Sequence, residues 1–134
     1  MTSAIIPTMR YHDAPKMIEW LCTAFGFIKH FVVEDGNGGI AHAQLTFGNS
    51  MVMLGSSRND AAGELQATPQ TLGGTTQSAY IIVDDVDGVC EQARKTGAEI
   101  TAEPRDEEYG GRAFSCRDPE GHLWHFGSYD PWKK

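Results

Sequence analysis

The sequence repeats one order of elements, a strand, a helix and three strands, and this repetition restricts the fold more than any other feature. Apolar alternation bounded by turn residues predicts strands in the first half at 4–11, 27–34, 40–47 and 51–54. The same signals predict strands in the second half at 78–84, 99–103, 112–117 and 122–128. Residues 51–56 also resemble residues 123–128, which lie 72 positions further along. The shared order and spacing indicate a duplicated module.

Each half carries one amphipathic helix between a capping aspartate and a glycine. In the first half, Asp13 supplies an N-cap, and apolar residues then recur at helical spacing as far as Gly26. In the second half, Asp85 and Gly97 bound a helix in the same way. The two glycines lie 71 positions apart, which repeats the offset of the strands to within one residue. The helices therefore support the duplication.

The predicted architecture is one α+β domain of two βαβββ modules. A chain of 134 residues has the usual length of a single domain. Module one covers about residues 3–56, and module two covers about residues 77–130. The connection at about 57–76 is rich in Gly, Ser, Thr and Gln, and it is long for a segment without structure. It is either a crossover between the modules or a lid over a pocket, and both interpretations stay open.

Charge and cysteine content narrow the classes of function. The chain has 18 acidic and 11 basic residues and a net charge of −7, whereas a nucleic-acid surface needs the opposite sign. An acidic surface instead attracts cationic ligands. Three widely spaced cysteines without a CxxC pair argue against a disulfide framework or a zinc site. Because no basic leader or long apolar run occurs, we expect a cytoplasmic protein with no membrane or nucleic-acid partner.

Two short motifs, together with the paired modules, resemble the vicinal oxygen chelate superfamily. They are DPEGHLW at residues 118–124 and YHDAP at residues 11–15, which leads into the first helix. This group includes glyoxalase I, bleomycin-resistance proteins, fosfomycin-resistance enzymes and extradiol dioxygenases. The resemblance covers essentially the whole chain. It implies curved mixed sheets that form a cup, and a homodimer in which modules are paired or swapped between chains.

The resemblance also implies where a metal ion would be held. Metal-using members place histidine or glutamate at four points, which align with Pro7, Met53, Ser78 and His125. Of these, only His125 is a good ligand for a divalent ion, and a catalytic ion needs about three protein ligands. We therefore expect no metal and no other cofactor.

Alternation along the strands predicts which side chains face a pocket. Residues 40–47 alternate between apolar and polar side chains, and we expect the apolar set to pack on Trp20 and Leu21 of the first helix. The polar set then faces the concave side, and Tyr109 and Arg112 lie at its rim. The expected ligand-binding residues on these faces and at the rim are His42, Gln44, Met51, Met53, Tyr109, Arg112, Leu123 and His125. Such a lining suits a medium-sized, partly apolar ligand.

Three classes of function follow from these observations. The sequence favours a metal-free protein that sequesters or carries a small molecule such as a drug or natural product. The alternative is a metal-dependent lyase, isomerase or dioxygenase whose ligands lie elsewhere in the chain. A structural or subunit-interaction role is the third. No catalytic residue is identified from the sequence, and Cys116 is the one cysteine expected near the cup.

Overall fold

The computed structural model describes residues 3–133, which form two compact units, the first ending at Leu72 and the second beginning at Gly73. The strands of the first unit are β1 (Thr8–Tyr11), β2 (Ile28–Glu34), β3 (Ile40–Phe47) and β4 (Ser50–Ser56). Those of the second unit are β5 (Ala79–Ile82), β6 (Glu99–Asp106), β7 (Arg112–Arg117) and β8 (Leu123–Gly127). The helices are α1 (Ala14–Phe25), α2 (Ala61–Leu65), α3 (Pro69–Leu72) and α4 (Val86–Lys95). None of the helices within residues 3–133 has the length and hydrophobicity that a membrane crossing requires.

Each unit contains one four-stranded mixed sheet, and the two sheets have the same strand order. The order is β1-β4-β3-β2 in the first unit and β5-β8-β7-β6 in the second. The first and last strands of each unit pair in parallel, and the other pairs are antiparallel. The register repeats as well, because Thr8 pairs with Met53 and Tyr80 pairs with His125, each 72 positions further along. The predicted α+β fold of two βαβββ modules is confirmed.

The helix caps lie where the sequence places them. The Asp13 side chain accepts a hydrogen bond from the Lys16 backbone N–H at 3.2 Å and begins α1. Gly26 ends α1 with φ +89°, a left-handed conformation that glycine adopts without strain. The Asp85 side chain likewise accepts from the Gly88 backbone N–H at 3.0 Å and begins α4. Asp13 and Gly26 therefore bound α1, whereas α4 begins at Asp85 and has its C-cap at Thr96, one residue before the predicted Gly97.

In the first unit, α1 covers one face of the sheet and forms the core with it. Leu21 of α1 and Ala43 and Leu45 of β3 are fully buried there. Trp20, which the sequence predicted to pack with Leu21 in this core, is only half-buried. Its ring contacts Phe25 edge to face, with ring centroids 5.1 Å apart. Leu21 is buried as predicted, and Trp20 lies at the margin of the buried face of α1.

In the second unit, one buried aspartate organises the turn that joins β7 to β8. The Asp118 Oδ1 atom accepts hydrogen bonds from the backbone N–H groups of Glu120 and His122 at 3.0 and 3.1 Å. Its Oδ2 atom accepts from the indole N–H of Trp124 at 3.1 Å, and the Trp124 side chain is fully buried. Gly121 closes the turn with φ +90°. The DPEGHLW motif at residues 118–124 therefore has a structural role: it forms the turn between β7 and β8 and fixes the position of Trp124.

The connection is ordered over residues 57–72 and packs on the first unit. It contains the two short helices α2 and α3. The Gln66 side-chain amide donates to the backbone oxygen of Thr8 at 2.8 Å. The buried Thr68 hydroxyl lies 2.7 Å from the Nε2 atom of His12, in the corner between β1 and α1. This part of the connection is therefore attached to the corner of the first unit by side-chain hydrogen bonds.

Candidate functional site

The face of each sheet that lies opposite its helix, called here the helix-free face, carries six of the predicted ligand-binding residues. In the first unit, His42 and Gln44 are half-buried and alternate with the fully buried Ala43 and Leu45. Because successive side chains of a strand point to opposite faces, His42 and Gln44 point away from α1. The other four residues on the helix-free faces of the two sheets follow the same alternation, namely Met51, Met53, Leu123 and His125.

The first unit brings four of the predicted residues together. The Nε2 atoms of Gln44 and His42 lie 3.1 Å apart, and the rings of Phe31 and His42 have centroids 6.5 Å apart. Gln44 is the register partner of Met53, and Met51 lies two residues earlier on the same face of β4. An imidazole, a side-chain amide and two thioethers thus form one continuous surface. Such a surface combines hydrogen-bonding groups with adaptable apolar ones.

The second unit centres on His125, whose two ring nitrogens both contact serine hydroxyls. Ser115 Oγ lies 2.6 Å from Nδ1, and Ser78 Oγ lies 2.9 Å from Nε2. Ser115 is the register partner of His125 on β7, and Ser78 comes directly before β5. We call these three side chains the Ser–His–Ser group. They fix the plane of the imidazole ring and leave Ser78 exposed at one end.

The Ser–His–Ser group can present either a donor or an acceptor to a ligand. In each neutral tautomer of His125, the protonated nitrogen donates to one serine and the other nitrogen accepts from the other serine. When Nε2 carries the proton, the Ser78 oxygen accepts a hydrogen bond from it, and the Ser78 hydroxyl is free to donate to a ligand. When Nδ1 carries the proton, Ser78 donates to the ring, and its oxygen can accept from a ligand. The group therefore matches carbonyl, hydroxyl and amide ligands.

Leu123 and Tyr80 border the Ser–His–Ser group, and Tyr129 and Tyr109 are connected to Tyr80. Leu123 is half-buried two residues before His125 on the same face of β8. Tyr80 is the register partner of His125, and its hydroxyl donates to the backbone oxygen of Tyr129 at 2.7 Å. The rings of Tyr109 and Tyr129 meet edge to face, with centroids 5.0 Å apart. Tyr109 thus reaches the surroundings of His125 through two other tyrosines.

Sequence reasoning missed Ser115, Tyr80 and Tyr129, and it considered Ser78 only as a poor metal ligand. A signal for Ser115 is present in the chain, because it alternates with the apolar Phe114 and Cys116. Contact between Ser115 and His125 depends on the register of β7 and β8, which the length of the intervening turn sets.

Arg112 lies on the opposite side of the second sheet from His125. Its Nε and Nη2 atoms each contact a carboxylate oxygen of Asp87 at 3.0 Å, and its Nη1 atom lies 3.4 Å from Asp106. Asp87 belongs to the first turn of α4, so Arg112 points toward the helix. Its hydrogen bonds hold the pKa of the Asp87 carboxyl below its ordinary value. The structure therefore places Arg112 beside α4 and apart from the Ser–His–Ser group.

Cys116 also faces α4. It is fully buried and is the register partner of the buried Trp124. Burial raises the pKa of the Cys116 thiol to about 12, because the charged thiolate is poorly solvated there. Since the thiolate is the reactive form of cysteine, this thiol is inert near neutral pH. The expectation that Cys116 lies near the ligand face is wrong, because β7 turns that side chain toward the helix.

The four positions aligned with metal ligands meet in pairs but do not supply a metal site. The Met53 backbone N–H donates to the backbone oxygen of Pro7 at 2.9 Å, and Ser78 contacts His125 at 2.9 Å. Their side chains offer one thioether, one hydroxyl and one imidazole whose nitrogens both contact hydroxyls. Among residues 3–133, no group of three or more His, Cys, Asp or Glu side chains is placed to hold a metal ion. These residues do not fit a catalytic divalent ion.

Comparisons with known proteins agree with this fold. Residues 6–126 match the family model described as Glyoxalase/Bleomycin resistance protein/Dioxygenase superfamily. The uncharacterized protein Mb0911c of Mycobacterium bovis is 31% identical over 124 residues, which cover 92% of this chain and 82% of that protein. The crystal structure of TioX from Micromonospora sp. ML1 is 30% identical with a TM-score of 0.73, and the match covers 94% of this chain and 98% of that one.

A more distant structure shows the fold alone. The fosfomycin resistance protein FosX from Mesorhizobium loti is 16% identical with a TM-score of 0.69, and the match covers 98% of this chain and 96% of that one.

Proposed function

The chain belongs to the glyoxalase/bleomycin resistance protein/dioxygenase superfamily, and from this premise we propose that it is a metal-free small-molecule binding protein. It sequesters or carries a medium-sized, partly apolar ligand, in the manner of a drug- or natural-product-resistance protein. One observation carries the proposal: Ser78 and His125, at two of the positions that the resemblance aligns with metal ligands, contact each other, and the other ring nitrogen of His125 contacts the Ser115 hydroxyl.

The helix-free face of the second unit supplies both contacts that such a ligand needs. The Ser–His–Ser group offers directional hydrogen bonds, and Leu123 and Tyr80 offer apolar area beside it. Polar groups fix the orientation of a bound ligand, whereas apolar contacts provide most of its affinity. The helix-free face of the first unit has a similar composition, with Gln44 and Met53 as register partners. Neither face depends on a metal ion for these contacts.

The binding role of His125 is tested by alanine substitution. We expect a thermal-shift screen on EDTA-treated protein to yield ligands that raise the melting temperature. His125→Ala should weaken binding of those ligands by about 1–3 kcal/mol, because a partly buried hydrogen bond is lost. The fold should persist, since His125 lies opposite the buried core. Calorimetric titration measures the change in affinity.

The matched control for this substitution is His30→Ala. His30 is an exposed histidine of β2 in the first unit, outside the Ser–His–Ser group, and its removal should leave affinity unchanged. Equal affinity of His125→Ala and the unmodified protein would contradict the proposed site. A loss of several degrees of melting temperature with EDTA, restored by one divalent ion, would contradict the metal-free role.

We also propose that the protein acts as a homodimer. Strand β2 is at the edge of the first sheet, and all seven of its residues are exposed. Its exposed apolar side chains are Ile28, Phe31, Val32 and Val33. An apolar edge strand readily pairs with another chain, so a second copy is the expected cover. Light scattering at micromolar concentration should give twice the mass of one chain, and the mass of a single chain would refute the dimer.

A further inference from the structure

Three tyrosines of the second unit form a connected group beside His125, which we call the tyrosine cluster. Its members are Tyr80, Tyr109 and Tyr129. Tyr80 pairs in register with His125, and its hydroxyl donates to the Tyr129 backbone oxygen at 2.7 Å. Tyr109 and Tyr129 contact each other edge to face. All three are exposed, Tyr109 the most at 60%. The cluster therefore presents aromatic surface to the same ligand that would contact His125.

Gly127 allows Tyr80 to lie along the sheet. Residue 127 of β8 points to the same face as His125, two residues earlier. A Cβ atom built on Gly127 would lie 2.5 Å from the Tyr80 hydroxyl oxygen and 2.9 Å from its Cε1 atom. The Tyr80 ring thus covers the backbone of Gly127. This contact places the ring on the helix-free face, beside the Ser–His–Ser group.

A carboxylate lies near the tyrosine cluster, and one lysine, Lys133, follows it in the same turn. Burial raises the pKa of Tyr80, and the carboxylate of Asp130 is close enough to raise it further. Glu108 directly precedes Tyr109 in the chain. The arginines on either side of Tyr109 in sequence, Arg105 and Arg112, both contact carboxylates, so their charges are compensated. The region thus combines aromatic rings with the nearby carboxylate of Asp130.

We propose that the tyrosine cluster recognises a flat, positively charged ring system on the bound ligand. The faces of tyrosine rings carry partial negative charge and attract cations, and flat rings add stacking area. Nearby carboxylates strengthen the attraction. The inference rests on the proposed function, because the charged ring belongs to the ligand that the Ser–His–Ser group binds. It narrows the ligand class to cationic aromatic compounds.

The test compares three probes at a pH where quinoline is neutral. N-methylquinolinium has both the flat ring and the charge, quinoline has the ring alone, and tetramethylammonium has the charge alone. Binding to EDTA-treated protein is followed by NMR shifts of the amides of the second unit. We expect N-methylquinolinium to bind about fivefold more tightly than quinoline, the ratio that one exposed cation–π contact supplies. Tetramethylammonium should bind most weakly, since it lacks the ring.

Variants of Tyr109 locate the effect. Tyr109→Leu should abolish the preference for the charged probe, whereas Tyr109→Phe should keep it, because the ring face and not the hydroxyl attracts the cation. Trp20→Leu is the control, since Trp20 is a half-buried aromatic residue of α1 in the first unit, away from the helix-free faces. It should leave the preference unchanged.

The outcomes separate this inference from the proposed function. Equal binding of the charged and neutral probes, no binding of N-methylquinolinium, or an unchanged preference in Tyr109→Leu would each overturn the inference. In those cases, the effect of His125→Ala on ligands from the wider screen still decides the proposed function. If Tyr109→Leu converted a dimer into a monomer, the inference would also be overturned, because the tyrosine cluster would then be a contact between two copies of the chain.

Discussion

Replacing Trp124 with alanine is expected to lower the free energy of unfolding by about 3–5 kcal/mol. The Trp124 side chain is fully buried in the second unit, and its indole N–H donates to Asp118 at 3.1 Å. Alanine would leave a cavity and remove one hydrogen bond from a buried carboxylate, so the two costs combine. Urea denaturation followed by circular dichroism measures the change.

Trp132 provides the control for this substitution. Its side chain is 90% exposed, so Trp132→Ala should change the free energy of unfolding by no more than about 0.5 kcal/mol. A loss below about 1 kcal/mol in Trp124→Ala would show that the core of the second unit does not depend on this ring.

Asp118→Ala is expected to destabilise the protein by about 2–4 kcal/mol. The substitution removes the acceptor of three N–H groups, two from the backbone of the turn and one from Trp124. A buried donor without a partner costs free energy because it has lost its contact with water. Asp118→Asn should cost less, since its amide oxygen can still accept from the two backbone groups. Urea denaturation again supplies the measurement.

A second aspartate–proline pair gives the matched control for Asp118. Asp130 also precedes a proline, and its side chain accepts a hydrogen bond from the Trp132 backbone N–H at 2.9 Å in an exposed turn. Asp130→Ala should therefore cost less than about 1 kcal/mol. Similar losses in the two variants would mean that the buried hydrogen bonds of Asp118 are not what stabilises the turn.

Short-range signals predicted α1, α4 and the repeat well, but they missed the short helices α2 and α3 and predicted strand lengths less well. Asp13 and Gly26 bound α1 as expected, since capping depends on a few neighbouring residues. Strand β1 begins at Thr8 and not at residue 4, because pairing with β4 starts there. Strand β6 continues past its predicted end at residue 103 and through Pro104, which an edge strand with an irregular register tolerates.

For the candidate site, the alternation along the strands predicted which face of the sheet each side chain points to, but not which other side chains it contacts. His42, Gln44 and His125 point away from the helices, as period-two alternation requires. Arg112 shares its face with the buried Phe114, which the same alternation indicates, but its ion pair with Asp87 depends on how α4 packs on the sheet. No local pattern in the sequence predicts that Arg112 and Asp87 lie close together. Contacts between distant segments, such as Ser115 with His125, therefore required the structure.

The most direct test of the metal-free binding role is NMR titration of the EDTA-treated protein with the strongest ligand from the screen. We expect the largest shifts at Ser78, Ser115 and the ring nitrogens of His125, without any added metal. These shifts should saturate with the same affinity that calorimetry gives. Binding that appears only after a divalent ion is added, or shifts that leave all three residues unchanged, would contradict the proposed function.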